Sequence, residues 1–176
     1  MNKKKVDSTP YGSDSSSLKF WSTKRNKLND LYKSEKFFFL KTVKKSNSFL
    51  DIGCAAGGFS KIIYKLKKKF NYSGLDVSVN MIEAAKKNNK ECKFYLYNGK
   101  DIPKKLSNKD LVFSFGTLHH SSHAISIISQ MIKKSNKYVL FDLRFKRNLK
   151  NRFFFKNFQK INFLGKLNKN NQIPYY

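Results

Sequence analysis

The sequence has no long hydrophobic run. Its longest apolar stretches, such as Phe37–Leu40 and Tyr138–Phe141, are four residues each, far short of the roughly 20 that cross a bilayer. The basic N-terminus MNKKKVDSTPYG lacks the apolar segment of a secretory signal, so the expected location is cytoplasmic. Cysteine is scarce. Cys54 and Cys92 are the only two, which excludes a disulfide scaffold and a four-cysteine zinc site. No metal site is expected. Acidic residues are scarce too: 11 Asp+Glu face 37 Lys+Arg, a net charge of +26. Arginine is rarer still, at Arg25, Arg144, Arg147 and Arg152 only. Such a charge fits an anionic partner, nucleic acid or a membrane surface. It fits AT-rich codon usage better, because Lys, Asn, Phe, Ile and Tyr abound together. A surface selected to grip phosphates favours the planar fork of arginine.

What is present is enough for one folded domain. The chain has 176 residues, 40% hydrophobic and 15% aromatic, outside the range of disordered chains. Residues 1–18 are polar and read as a flexible arm. The remaining domain, 19–176, divides into a helical N-terminal part (19–45), a core (46–143) and an incomplete C-terminal part (144–176). In the first part Leu28, Leu31, Tyr32, Phe38 and Phe39 recur at helical spacing.

The core alternates strands and helices. Strands are expected at 48–52, 72–77, 93–97, 110–115 and 138–143. Helices are expected at 59–69, at 79–88 behind the N-cap Ser78, and at 124–134. Met81, Ile82, Ala84 and Ala85 face inward from the second of these, and Ile125, Ile127, Ile128 and Met131 from the third. The alternation implies an α/β fold with a doubly wound, mostly parallel sheet. In the tail, 148–158 reads as a helix, 159–163 as a sixth strand, 167–171 as a loop, and Ile173–Tyr176 as the start of another strand.

The chemistry concentrates at Phe49-Leu50-Asp51-Ile52-Gly53-Cys54-Ala55-Ala56-Gly57-Gly58-Phe59. A buried strand ends in a glycine turn that opens a helix. Small residues admit a ligand close to the backbone, and the helix start offers N–H groups. Asp76 ends the second strand, where a carboxylate accepts the hydroxyls of an adenosine ribose. Gly53-x-Ala55-x-x-Gly58 is a degenerate dinucleotide fingerprint, but Asp51 stands where such sites are apolar. An acid there would repel a pyrophosphate and suits a ligand carrying an ammonium or sulfonium. A buried aspartate needs such a partner, unless it only caps the following turn.

In these motifs the chain resembles the class I S-adenosylmethionine-dependent methyltransferases of the small-molecule type. The likeness runs from Trp21 to Phe163. It rests on LDIGCAAGGF (50–59), GLDVSVNMIEAA (74–85) and DLVFSFGTLHH (110–120). It implies a Rossmann-like sheet of strand order 3-2-1-4-5-7-6 and S-adenosyl-L-methionine as cofactor. By the same likeness Asp51 and Gly53 hold the methionine end. Asp76 meets the ribose, and Met81 flanks the adenine. Asn98 or Asp101 lies near the adenine amino group, and Cys54, Ala55, Gly57, Val77 and Gly99 also bind the cofactor. Ser114 and Gly116, in the Ser114–Thr117 turn, contact the methionine end. Two departures stand out. Ala55 replaces the middle glycine of Gly-x-Gly-x-Gly, with Gly58 as a compensation. The chain also ends before the seventh strand, which would leave the sixth without a neighbour.

Methyl transfer is an in-line displacement, so alignment and proton removal matter more than a covalent nucleophile. Phe115–His120 lacks the Pro-Pro-Tyr/Phe signature of amino methylation on nucleobases, and no Pro-Cys dipeptide is present. The Leu-His-His ending resembles the branch acting on small molecules, lipids, quinones or glycans. An RNA methyltransferase or nucleic-acid-binding module on the same fold is the alternative. His120, then His119, are the candidate bases; the other reading of His119, His120 and His123 is packing and capping. The segment Tyr11–Tyr32, with Phe20, Trp21, Lys24 and Arg25, forms either a lid or a helix packed on the sheet edge.

Overall fold

A computed structural model describes residues 15–143, 157–160 and 172–175. Two helices, α1 (Ser15–Thr23) and α2 (Lys33–Val43), come first, with a 3-10 turn at Leu28–Asp30 between them. Then follow β1 (Ser48–Ile52), α3 (Gly58–Leu66), β2 (Asn71–Asp76), α4 (Val79–Asn88), β3 (Lys93–Leu96), β4 (Lys109–Ser114), α5 (Ala124–Lys134) and β5 (Ser135–Phe141). The described tail contributes β6 (Asn157–Lys160) and β7 (Gln172–Tyr175).

The main sheet is all parallel, in the order β3-β2-β1-β4-β5. Progression reverses between β1 and β4, so a crevice opens above their carboxyl ends. That is where the glycine turn and the Ser114–Thr117 turn emerge.

Side chains alternate across β1, and both faces are covered. Phe49 joins Phe39, Phe59, Ile63, Tyr72, Phe94 and Phe113 on one face. Leu50 and Ile52 join Leu75, Val112, Leu118, Ile127 and Met131 on the other. The first face is packed edge to face: Phe39 stands 5.0 Å from Phe59 and 5.4 Å from Phe113 between ring centroids, the geometry aromatic quadrupoles favour. Asp51, two residues after Phe49, shares this aromatic face. That placement costs it its water.

Several expected boundaries move. α1 starts at Ser15, inside the stretch expected as a flexible arm. β5 begins at Ser135, directly after α5, because Ser135 already pairs with Lys109 before a register shift toward Leu111. Ile125 is 77% exposed. Ile127 and Met131, four apart, define the inward face of α5, and Ile125 lies about 200° around the helix from Ile127. Phe38 and Tyr32 are exposed as well, because the break at Leu31–Tyr32 separates the two periodic segments.

Among the described residues the main sheet has five strands. The sixth strand starts two residues earlier than expected and has a neighbour: β6 pairs antiparallel with β7, Asn157 opposite Tyr175. Phe158, expected to end a helix, pairs with Pro174 in that ladder. The rest of that expected helix, 148–156, and the loop 167–171 lie outside the described residues. No described helix is long and apolar enough to cross a membrane.

Candidate functional site

The glycine turn is tied to β2 by its own amides. Gly53 N and Cys54 N both donate to the Leu75 carbonyl, at 2.7 and 2.9 Å. Gly53 and Gly57 adopt φ of +80° and +78°, the left-handed region that glycine enters without a Cβ clash. Ala55 is also left-handed, at φ +46°. The position expected to want glycine therefore does want it, and alanine bears the strain. Gly58 does not compensate: it is the first residue of α3, with no left-handed φ. Its bareness serves packing, since a Cβ there would stand 2.7 Å from the Arg25 carbonyl and 2.9 Å from that of Lys24.

Asp51 is 1% exposed. Its Oδ2 accepts a 2.5 Å hydrogen bond from the Tyr72 hydroxyl. Burial pushes its pKa up to about 7; the neighbouring Asp76 charge adds to the rise, while the Tyr72 bond and the Arg25 charge oppose it. The Tyr72 phenol is in turn pushed well above its ordinary range, first by burial and then by Asp51. Asp76, 8% exposed, is held differently. Its Oδ2 accepts from Ala55 N and its Oδ1 from Ser78 N, each at 2.9 Å. Burial raises its pKa, and these amides with that of Val77 counter the rise. Asp76 thus clamps the glycine turn to the end of β2. The Cys54 thiol is buried and held well above its ordinary pKa by burial first, so it is inert.

Next to Asp76 lies a second group of expected residues. Ser78 caps α4, its hydroxyl accepting from Met81 N at 3.3 Å. Met81 is 2% exposed. Gly99 is left-handed at φ +75°, and a Cβ on it would meet Val77 Cγ1 at 3.1 Å. Asn98 and Asp101 hold each other: Asn98 Nδ2 donates to Asp101 Oδ2 at 3.0 Å, and Asn98 Oδ1 accepts from Asp101 N at 2.7 Å. The loop after β3 therefore presents one joined pair.

The turn after β4 closes on the glycine turn from the other side. Ser114 is fully buried and donates to the Ile52 carbonyl at 2.8 Å, tying the exits of β4 and β1 together. Gly116 N donates to Asp142 Oδ1 at 2.5 Å. Thr117 covers Gly53 so closely that a Cβ there would stand 2.2 Å from its Oγ1. Leu118–His120 form a 3-10 turn, and β7 runs beside it. His119 is 4% exposed and its ring lies 4.0 Å from that of His120. His120 is half-buried and nearer the solvent; His123 is exposed and precedes α5. Of the two candidate bases, His119 is buried and His120 is the more exposed.

Sequence reasoning missed two partners. Tyr72 reads as a strand aromatic, yet it is the bonding partner of Asp51. Arg25, placed only in a lid segment, reaches the site itself: a Cβ on Gly116 would stand 2.6 Å from its Nη1. Its Nη2 is paired with buried Glu35 at 2.7 Å. The available signal was rarity, one arginine in a segment whose other cations are lysine. Elsewhere, a groove of about 620 Å³ between α3 and the end of α4 is lined by Lys27, Lys61, Lys65, Lys90, Tyr64 and Glu91. Neither aspartate nor the β4 exit contributes to it.

Residues 43–166 match a family model described as a methyltransferase domain. No curated protein matches the chain. Solved structures do, at the level of fold. The plantazolicin methyltransferase BamL, in complex with a triazolic desmethylPZN analog and SAH, is 23% identical with a TM-score of 0.53, over 64% of this chain and 42% of that one. The plantazolicin methyltransferase BpumL, with the same type of analog and SAH, is 18% identical with a TM-score of 0.53, over 74% and 49%. StiE O-MT residues 961–1257 are 15% identical with a TM-score of 0.51, over 58% and 39%. The chain spans less than half the length of each.

Proposed function

The chain belongs to the methyltransferase-domain family, and from that premise we propose that it transfers a methyl group from S-adenosyl-L-methionine to a small-molecule acceptor, a hydroxyl-bearing metabolite, lipid, quinone or glycan. The observation that carries the reading is Asp51, a carboxylate buried in an aromatic face at the mouth of the crevice. Such a group is stable in its charged form only beside a cation. The donor set fits this cofactor: an acid at the turn for an ammonium, Asp76 for a ribose, and the Val77, Met81 and Gly99 surfaces for an adenine. A pyrophosphate fits it poorly, because two buried acids already face the turn.

Bound there, the cofactor supplies a methyl group on a sulfonium, open to displacement by an acceptor oxygen. The chain's own residues do the rest. Asp51 and the Gly53–Gly57 backbone fix the ligand's charged end, and Thr117 and Gly116 limit water from the β4 side. His120 takes the acceptor's hydroxyl proton as the bond forms. His119, packed against it, orients the ring.

The test is transfer of labelled methyl from the cofactor to a panel of hydroxylated small molecules, with RNA as a parallel acceptor. Label is expected in a small molecule. His120→Ala should lower the rate about 100-fold or more with cofactor affinity unchanged. Faster labelling of a structured RNA would overturn the small-molecule assignment.

A further inference from the structure

The helical segment before β1 contributes to the site as well as covering it. Lys24 and Arg25 press their backbone on Gly58, at the start of α3. Arg25 sits in a left-handed turn, φ +53°, which projects its side chain across Gly116 on the β4 exit. The guanidinium is largely buried, 19% exposed, and so is its partner Glu35, at 4%. Glu35 takes Nη2 only. Nε is buried with no hydrogen-bond partner, and Nη1 is the atom nearest Gly116. From this position Arg25 acts electrostatically on Asp51.

One crevice is thus bordered by a buried acid on β1 and by a partly satisfied guanidinium at the β4 exit. An isolated cation or anion would suit one of these groups and oppose the other. An amino-acid zwitterion suits both, its ammonium at Asp51 and its carboxylate at Arg25. Guanidinium also matches a carboxylate bidentately, which lysine cannot do. In a chain whose cations are overwhelmingly lysine, an arginine at this one buried position is the more informative.

Resting on the cofactor reading above, we propose that Arg25 binds the α-carboxylate of the cofactor's methionine end, so that the segment Trp21–Lys27 is part of the cofactor site. Glu35 is the positioning residue that aims the guanidinium. Burial of an unmatched charge would destabilise a single variant, so the pair is neutralised together.

The experiment is calorimetric titration of the full chain with S-adenosylhomocysteine and with its decarboxylated analogue, which keeps the amine. The wild type is expected to bind the decarboxylated ligand about 10- to 100-fold more weakly. In R25Q/E35Q, S-adenosylhomocysteine falls to that level and the two ligands bind alike, within about threefold. Should that variant not fold, Arg25→Lys keeps the charge and is expected to weaken the carboxylated ligand alone, by several-fold. Equal binding of both ligands by the wild type would overturn the proposal. So would a variant that weakens both ligands equally, since Arg25 would then only hold the segment in place. A wild type that binds neither ligand overturns the cofactor reading itself.

Discussion

Asp51 at the end of β1 and Asp76 at the end of β2 stand on neighbouring parallel strands, both buried, yet they are held by different means. Asp76 is gripped by backbone amides from both sides of the crevice, Ala55 on the glycine turn and Ser78 at the head of α4. Asp51 has one phenol and the charge of Arg25 set against the same loss of water. Asp76 is therefore part of the frame, whose amides counter the loss of water. Asp51 is less firmly held, and its pKa rises to about 7. Two acids that look alike in sequence differ in the structure because their hydrogen-bond donors differ.

The widest break in this comparison comes from Asp76→Ala. It removes the proposed ribose acceptor and leaves the Ala55 and Ser78 amides unpaired, at about 1–3 kcal/mol each. Binding of S-adenosylhomocysteine, measured by calorimetry, is expected to disappear, and chemical denaturation should show a loss of a few kcal/mol. Undiminished binding would remove Asp76 from the site.

Asp51→Asn should act on binding with the opposite effect on stability. The folded-state pKa of Asp51, about 7, lies above its ordinary value of 3.8, so the folded chain holds an extra proton between those values. Its contribution to stability is present near pH 4 and is lost as pH rises to about 7. The asparagine variant should lack that slope and be the more stable protein at pH 8, while binding the ligand about 10- to 100-fold more weakly. In the wild type at pH 6, binding should release a proton, seen as a buffer-dependent heat. A stability difference that does not change between pH 4 and pH 8 would refute the assignment.

The smallest effect concerns the turn between the two acids. Ala55→Gly relieves a left-handed alanine, worth roughly 1–2 kcal/mol, against about 0.4–1 kcal/mol of added unfolded-state entropy. A gain of up to about 1 kcal/mol in denaturant midpoint analysis is expected. A loss would mean that the Ala55 methyl makes a contact that outweighs the strain.

Much of this was legible in the sequence because it depends on local pattern. The alternation of strands and helices, the glycine turn opening α3, Ser78 as N-cap and Asp76 at the strand end are all short-range signals. The strain at Ala55 was legible as a departure from Gly-x-Gly-x-Gly. The role of Gly58 was not, because its neighbour is the backbone of Lys24 and Arg25, far away in the chain. Tyr72 and Arg25 escaped for the same reason: their meaning depends on which strand lies beside β1 and where a preceding helix is laid. The outward turn of Ile125 followed from the helix phase, which one neighbouring pair of isoleucines leaves ambiguous. The pairing of β6 with β7 came from two segments too short and too polar to declare a common ladder.

The most direct test of the central claim is a thermal melt of the full chain with S-adenosylhomocysteine and, separately, with NADH. A single-site ligand at about 100 times its Kd adds about 2.7 kcal/mol of stability. The account predicts a rise of several degrees with S-adenosylhomocysteine and none with NADH. A rise with NADH alone would contradict it.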